Sequence, residues 1–489
     1  MSTSQSTSGS GNRVNSADEA GQLQAGVAKV DITDTEAGPV NDPLYVKALV
    51  LKDQAMEIAI ITVDAVAIAE IGSIRNSYLA TVRAELLKEL GISGENVLIN
   101  ASHCHGTVCE DIEKRTVQAV REAWANTVPV TAGAGVGHED RIMQNRRLRL
   151  KDGREADVRH AYSLVPDEEV AEVGPVDPEI GLLRLDRLDG QTLAVVYNFA
   201  CHPIKGVPSG GNTADITGFA SRAVESNLPD GAMAIFLQGC AGDVNPIGYK
   251  DVDQLRDAER LGHLLGLSTV QAQSRIPTAD GAELSVINET ISLPRADLAP
   301  HIERLQAEQT RLLQSLRGTT LNLDAFLSLY VKYRLDPEYP SSDSHRYLHD
   351  RMMGRDDLDR LDTENRAHMD RYVRNIHTME ELTRVQANLG LLQKHHARNV
   401  EAGSDTIEVE VMGLRIGDLV LITFPGELSV QIGLNIKKRS PHKLTFVTGC
   451  TNGYIYYSPT AEQLSNRGGA QEDSDCVLAQ RSACEESAS

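Results

Sequence analysis

The chain has 489 residues, 41% of them hydrophobic and 24% charged, a balance that fits a soluble globular protein with a sizeable core. A formal net charge of −21 argues against nucleic acid or an anionic membrane surface as the main partner and points to a small-molecule substrate. Seven cysteines, an odd number without CxxC spacing, suit a reducing compartment better than a disulfide framework.

Residues 1–24 are rich in Ser, Gly and Asn and lack the apolar stretch of a leader, so they read as a disordered tail of a cytoplasmic protein without stable membrane association. Ala25 to Ile32 then alternates as a strand does, Tyr45 to Leu51 gives a second, and Glu57 to Val63 is a more continuous apolar run ending in Asp64. Leu79, Val82, Leu86 and Leu90 recur at helical spacing, and Val97 opens the strand-like Val-Leu-Ile-Asn-Ala-Ser-His-Cys-His-Gly. Strand, helix and strand make a βαβ unit with parallel strands, whose carboxyl ends would gather Asp64, His103 and His105. Residues two apart on an extended segment point the same way, so both imidazoles could reach one point, half of a metal site.

The pattern returns twice. Gln191 to Ala200 reads as a strand ending at His202, a helix follows through Phe219, Ala220, Ala223 and Val224, and Ala232 to Gln238 is the next strand, with Asp215 and Asp243 in the loops. Residues 297–400 read as a helical insertion, broken between Leu335 and Arg360, and six of its histidines, His345, His349, His368, His377, His395 and His396, read as surface residues. Ile407 to Met412 and Leu419 to Phe424 read as a hairpin around Arg-Ile-Gly-Asp, Glu427 falls near the start of a helix, and Leu444 to Thr448 is a strand leading to Tyr454, Tyr456 and Tyr457. The expected architecture is α/β, with mixed, largely parallel sheets, flanking helices and the insertion. Residues 25–296 and 401–475 form its main domain, and 476–489 a flexible tail.

Asn-Ala-Ser-His-Cys-His-Gly, Asn-Phe-Ala-Cys-His-Pro, Gly-Cys-Ala-Gly-Asp-Val-Asn-Pro, Phe-Pro-Gly-Glu and Asn-Gly-Tyr-Ile-Tyr-Tyr-Ser-Pro-Thr, in that order, resemble the motif series of the neutral/alkaline ceramidase superfamily. The resemblance runs from about Ala25 to Thr460 and leaves out the helical block. It implies a zinc amidase fold with one Zn2+ held by His103, His202, Glu427 and Tyr454. It also implies that His105 stands beside the substrate carbonyl, that Arg146 helps hold it, and that Tyr457 lies close to the reacting group. Two imidazoles, a carboxylate and a phenolate suit zinc, which would polarise a carbonyl and activate water. His105, Arg146 and Tyr457 could then stabilise the oxyanion. Asp215 or Asp243 could orient a metal-bound imidazole, or serve as turn caps.

Two departures shape the expected function. Asn245 stands where ceramidases carry a serine, so a metal-hydroxide route survives and a serine route does not. The chain also stops soon after the tyrosine motif, where ceramidases continue into an immunoglobulin-like domain. The expectation is a zinc-dependent hydrolase acting on an amide-type carbonyl of a smaller, more polar substrate. A true ceramidase or N-acyl-lipid amidase, and an ester or sugar substrate, stay open, as does an oligomer. The rivals are a thiol hydrolase using Cys104, Cys201 or Cys240, and a binding protein that keeps the fold without catalysis.

Overall fold

The computed structural model describes residues 22–153, 155–158, 165–206, 211–249, 256–339 and 344–465. The expected C-terminal tail and most of the N-terminal one lie outside the described residues, whereas Gln24 already opens the first strand.

Eight strands form one sheet in the order Met233–Gln238, Thr192–Phe199, Glu179–Arg187, Val128–His138, Gln24–Asp31, Tyr45–Lys52, Glu57–Val63, Val97–Ala101. Two of the three expected strand–helix–strand units sit at its opposite ends, and the third, Leu419–Thr423 parallel to Leu444–Thr448 across the helix Val430–Arg439, lies in a second sheet. Glu57–Val63 runs parallel to Val97–Ala101 across the helix Tyr78–Leu90, and Thr192–Phe199 parallel to Met233–Gln238 across the helix Asp215–Glu225. The five ladders between them are antiparallel, so the α/β class with mixed sheets stands, while parallel pairing is confined to the ends.

The sheet curls until its ends meet, and side chains close the seam. Lys47 Nζ donates to the Ala234 carbonyl at 2.9 Å, Thr62 Oγ1 donates to the Phe236 carbonyl, and Asn100 Oδ1 accepts the Gln238 amide at 2.9 Å. These bonds satisfy the exposed backbone groups of the end strand Met233–Gln238, which would otherwise be buried without partners.

The second sheet, in the order Leu284–Pro294, Thr406–Ile416, Leu419–Thr423, Leu444–Thr448, packs face to face on the first. Alternation assigns its faces: Met412, Leu414, Ile416, Leu421 and Phe446 enter the core between the sheets, while Val409, Ile422 and Val447 face the helix Val430–Arg439. The hairpin expected in this region is present, its first strand extending to Ile416 so that Gly417, at φ 57°, makes the turn.

Between the long antiparallel strands Leu284–Pro294 and Thr406–Ile416 the chain forms four helices, Ala299–Ser315, Leu323–Leu335, His345–Met352 and Asp357–Ala402. Leu305 and Leu312 of the first pack on Leu382, Val385, Leu389 and Leu392 of the last. The helix His345–Met352 lies within the stretch expected to be broken. His395 is fully buried, so its reading as a surface residue is corrected. No helix among the described residues is long and apolar enough to cross a membrane.

Asn100 has the most partners at the seam: besides accepting from Gln238, its amide nitrogen donates to the Gly449 carbonyl at 2.8 Å and to Thr451 Oγ1 at 2.9 Å. Asn100→Leu keeps the volume, takes the acceptor from the Gln238 amide and removes both bonds made by the Asn100 amide nitrogen, while Thr451 Oγ1 still donates to the Gly449 carbonyl. The expected loss is roughly 3 kcal/mol in urea unfolding, and an unchanged midpoint would show that the seam does not depend on this side chain.

Candidate metal centre

The strand Val97–Ala101 is prolonged by two further amide bonds, Ser102 N–H to the Val63 carbonyl and His103 N–H to the Ala65 carbonyl. At His103 the backbone turns into the left-handed region, φ 67°, and strand alternation ends there. The expectation that His103 and His105 aim at one point therefore fails. His103 is buried, whereas His105 is exposed, its ring centroid 5.9 Å from that of His103 and nearly perpendicular to it.

His202 follows the strand Thr192–Phe199, and its amide donates to the Val244 carbonyl at 3.0 Å. Glu427 was expected at or near a helix start, and it lies three residues ahead of one. It begins a two-residue strand pairing in parallel with Tyr457–Ser458, and its amide donates to the Tyr456 carbonyl at 2.9 Å. The helix begins only at Val430, whose amide is taken by Asp243 Oδ1 at 2.8 Å.

These three residues, all buried, bring one ligand atom each to within 4.8 Å of one another. His202 Nε2 lies 2.9 Å and His103 Nε2 3.2 Å from the same oxygen, Glu427 Oε2. The far sides of the rings explain why. His103 Nδ1 is 2.6 Å from the Val66 carbonyl and His202 Nδ1 is 3.1 Å from the Val244 carbonyl, and a carbonyl can only accept, so each Nδ1 carries the hydrogen. Both Nε2 lone pairs then face a carboxylate oxygen. Three acceptors converging at one buried point require a cation or an added proton between them.

The electrostatics express the same demand. Burial opposes charge on His103, but the Glu427 carboxylate and Cys450 outweigh it and hold the imidazole pKa well above its ordinary value. Burial would raise Glu427, but the two imidazoles outweigh that and keep it well below the carboxylate range. For His202, burial prevails and favours the neutral ring. Burial and the neighbouring Glu427 drive the Tyr454 phenol well above its usual range, a bias that a bound dication would reverse.

The expected fourth ligand, Tyr454, is buried and its hydroxyl donates to Glu427 Oε1. Tyr457 lies beside the site, its ring 6.3 Å from that of His202 and 25° from parallel, with the Arg146 guanidinium 5.1 Å from the Tyr457 ring centre. Asp215 and Asp243 do not orient the imidazoles, because main-chain carbonyls occupy that position. Asp215 instead accepts from the amides of Lys205, Gly206 and Ile216 and fixes the loop after His202, while Asp243 caps the helix Val430–Arg439. Asp64 accepts from the Tyr45 amide.

Sequence reasoning missed Val66 and Val244, whose contribution is a carbonyl and leaves no mark in residue type. It also missed Cys450, whose sulfur is 3.6 Å from His103 Nδ1. The thiols weighed as nucleophiles, Cys104, Cys201 and Cys240, are buried, and burial pushes each thiol pKa far up.

The sequence matches no family model and no curated protein. Solved structures do match, and they give the chain a ceramidase fold. The neutral ceramidase from Pseudomonas aeruginosa superposes with a TM-score of 0.58 at 15% identity, covering 94% of this chain and 72% of that one. A ceramidase complexed with C2 matches with the same score and coverage at 13% identity.

Asp64 supplies a test of the buried electrostatics beneath the site. Burial raises its carboxyl to about 6, against the pull of Lys47 and of its hydrogen bonds. A folded-state pKa above the unfolded value of about 3.9 means that the native state holds more protons between those two values, so stability falls as pH rises through this window. Asp64→Asn removes the penalty. Relative to wild type it should gain up to about 3 kcal/mol between pH 4 and pH 7 in urea unfolding, and a pH-independent difference would contradict the assignment.

Proposed function

We propose that the chain is a zinc-dependent, ceramidase-like hydrolase acting on an amide-type carbonyl of a small, relatively polar substrate. The observation that carries this reading is the meeting of His103 Nε2, His202 Nε2 and Glu427 Oε2, all lone-pair donors, at one buried point of the fold. His103, His202 and Glu427 would hold the ion, and Tyr454 would complete the set on losing the hydrogen it gives to Glu427. Zinc in such a shell supplies Lewis acidity and lowers the pKa of water toward ~7.

The chain's own residues do the rest. Val66 and Val244 fix the imidazole tautomers, so the ligand nitrogens are presented without rearrangement. His105, on the solvent side of the buried pair, is placed to meet a substrate carbonyl and donate to its oxyanion. Tyr457, with Arg146 against its ring, lines the same approach and can share that load. Cleavage of the carbon–nitrogen bond then passes a proton to the departing amine. Asn245 is buried and its carboxamide is no nucleophile, which favours direct attack by water over an acyl-enzyme. The strongly acidic chain favours a substrate more polar than a membrane sphingolipid.

Elemental analysis of protein purified without added metal tests the centre. About one zinc per chain is expected in the wild type and none in His202→Ala, with N-acyl amine hydrolysis by the wild type alone. A wild type that takes up no metal after zinc is offered and the excess removed overturns the proposal. Alkylation with iodoacetamide at pH 7 should leave most of the activity, because the buried thiols are protonated there. Stoichiometric inactivation would instead favour the thiol route.

A further inference from the structure

The helical segment reaches the site near the end of the helix Asp357–Ala402. Arg398 Nη1 donates both to Glu70 Oε2 and to the hydroxyl of Tyr456, the latter at 3.2 Å. The two acceptors belong to different halves of the candidate centre. Glu70 lies in the loop that begins with Ala65 and Val66, whose carbonyls hold the amide and Nδ1 of His103. That loop is cross-tied further on, Asn76 Oδ1 accepting from the Glu70 amide and Asn76 Nδ2 donating to Glu70 Oε1. Tyr456 lies between Tyr454 and Tyr457, its carbonyl accepts the Glu427 amide, and its ring is 5.1 Å from that of Tyr454.

Both acceptor residues are also in backbone conformations that need holding. Glu70 and Tyr456 have φ of 66° and 65°, a region costly for residues other than glycine that persists only where surrounding contacts enforce it. His395, one helical turn before Arg398, abuts the Tyr456 ring edge-on at 4.3 Å. It is fully buried and neither ring nitrogen has a hydrogen-bond partner. Burial, with Arg398 and Lys394 alongside, lowers its pKa to about 4, so at neutral pH it is an uncharged wedge.

We infer that Arg398 is a positioning residue which, by gripping Glu70 and Tyr456 together, locks the loop that holds His103 to the tyrosine segment that carries Tyr454 and pairs with Glu427, and so sets the geometry of the metal centre. The inference rests on the proposed zinc site, and it assigns the helical segment a part in the site itself. Both bonds leave one nitrogen, Nη1, whose two hydrogens are held in the guanidinium plane and so fix the direction to each acceptor, whereas the three hydrogens of a lysine ammonium rotate freely about a point charge. The Arg398 and Glu70 side chains are 33% and 22% exposed, so the ion pair alone contributes modestly to stability, and the consequence should appear at the site.

The test compares wild type with Arg398→Met, Arg398→Lys, Tyr456→Phe and, as a control on the same helical segment, Arg311→Met, which removes the exposed Glu308 pair. In metal-free protein, hydrogen exchange should rise in residues 65–76 and 452–458 of Arg398→Met and in neither segment of Arg311→Met. Zinc affinity by chelator competition should fall roughly 10- to 100-fold in Arg398→Met, with an altered cobalt absorption spectrum and a lower kcat at similar KM. Arg398→Lys should recover part of this, and Tyr456→Phe should weaken zinc in the wild-type background but add little to Arg398→Met. Unchanged exchange in both segments, or zinc affinity within twofold of wild type with the same cobalt spectrum, overturns the inference. Should Arg398→Met fail to fold, Tyr456→Phe alone decides, and wild-type affinity and exchange in that variant would also refute the clamp. A wild type that binds no zinc defeats the underlying metal reading, while the exchange experiment still judges the clamp.

Discussion

The side-chain amide of Asn100 is the tie on which the architecture depends. It is fully buried and hydrogen-bonds to three partners in two other strands or the turns after them: the Gln238 amide, the Gly449 carbonyl and Thr451 Oγ1. Asn100 precedes His103 by three residues, Gln238 begins the turn that leads to Val244, and Gly449 begins the turn that leads to Tyr454. One amide therefore sets the spacing of three polypeptide turns that each contribute to the site. Asn198, ahead of His202, does related work by donating to the Leu237 and Val447 carbonyls, and Asn452 Oδ1 accepts the Ile99 amide. Buried asparagines fit here because each brings a donor pair and an acceptor to a junction where strands end and the regular ladder no longer satisfies the backbone.

That junction explains where the backbone is strained. Glu70, His103, Asp215, Cys450, Asn452 and Tyr456 all have positive φ, and each lies in or beside a turn leaving a strand end, in the loop after such a turn or, for Asp215, at a helix start. A left-handed residue reverses the chain within one position, and at His103 it leaves the imidazole buried in the cluster with His202 and Glu427 without a long loop. At about 1–3 kcal/mol each, such conformations need a rigid surround, which the asparagine bonds and the closed seam provide. The Asp215 carboxylate meets its own cost locally, accepting three amides of the loop after His202 and of its own helix start.

The sequence made the ends of the large sheet legible and left its middle obscure. Both βαβ units could be read because a short apolar run, a helical period and another apolar run follow one another within a few dozen residues, and chain handedness then dictates parallel strands. The antiparallel centre pairs segments far apart in sequence, such as Val128–His138 with Glu179–Arg187, and nothing in local composition encodes that choice. At the candidate site, His103 and His202 stood out as histidines at strand ends, while Glu427 and Tyr454 were named through the resemblance to the ceramidase motifs. What holds them was not legible, because the Val66 and Val244 carbonyls look alike in every residue. His395 misled for a different reason. It sits between Lys394 and His396 in a charged stretch, and its burial comes from the tyrosine loop, more than fifty residues onward, rather than from its own helix.

Exposure separates the residues of the site into two kinds. His103, His202, Glu427 and Tyr454 are buried and hydrogen-bonded to one another or to main chain, so their positions are fixed before anything binds. His105 faces solvent from the same strand end, two residues beyond His103, because the left-handed turn at His103 breaks the alternation that would have sent both rings inward. A straight strand would have offered two ligands on one face and no group at the mouth. The turned one gives a buried imidazole and an accessible one from three consecutive residues, the arrangement on which the proposed division of labour rests: one group to fix charge in the interior and another to meet the substrate.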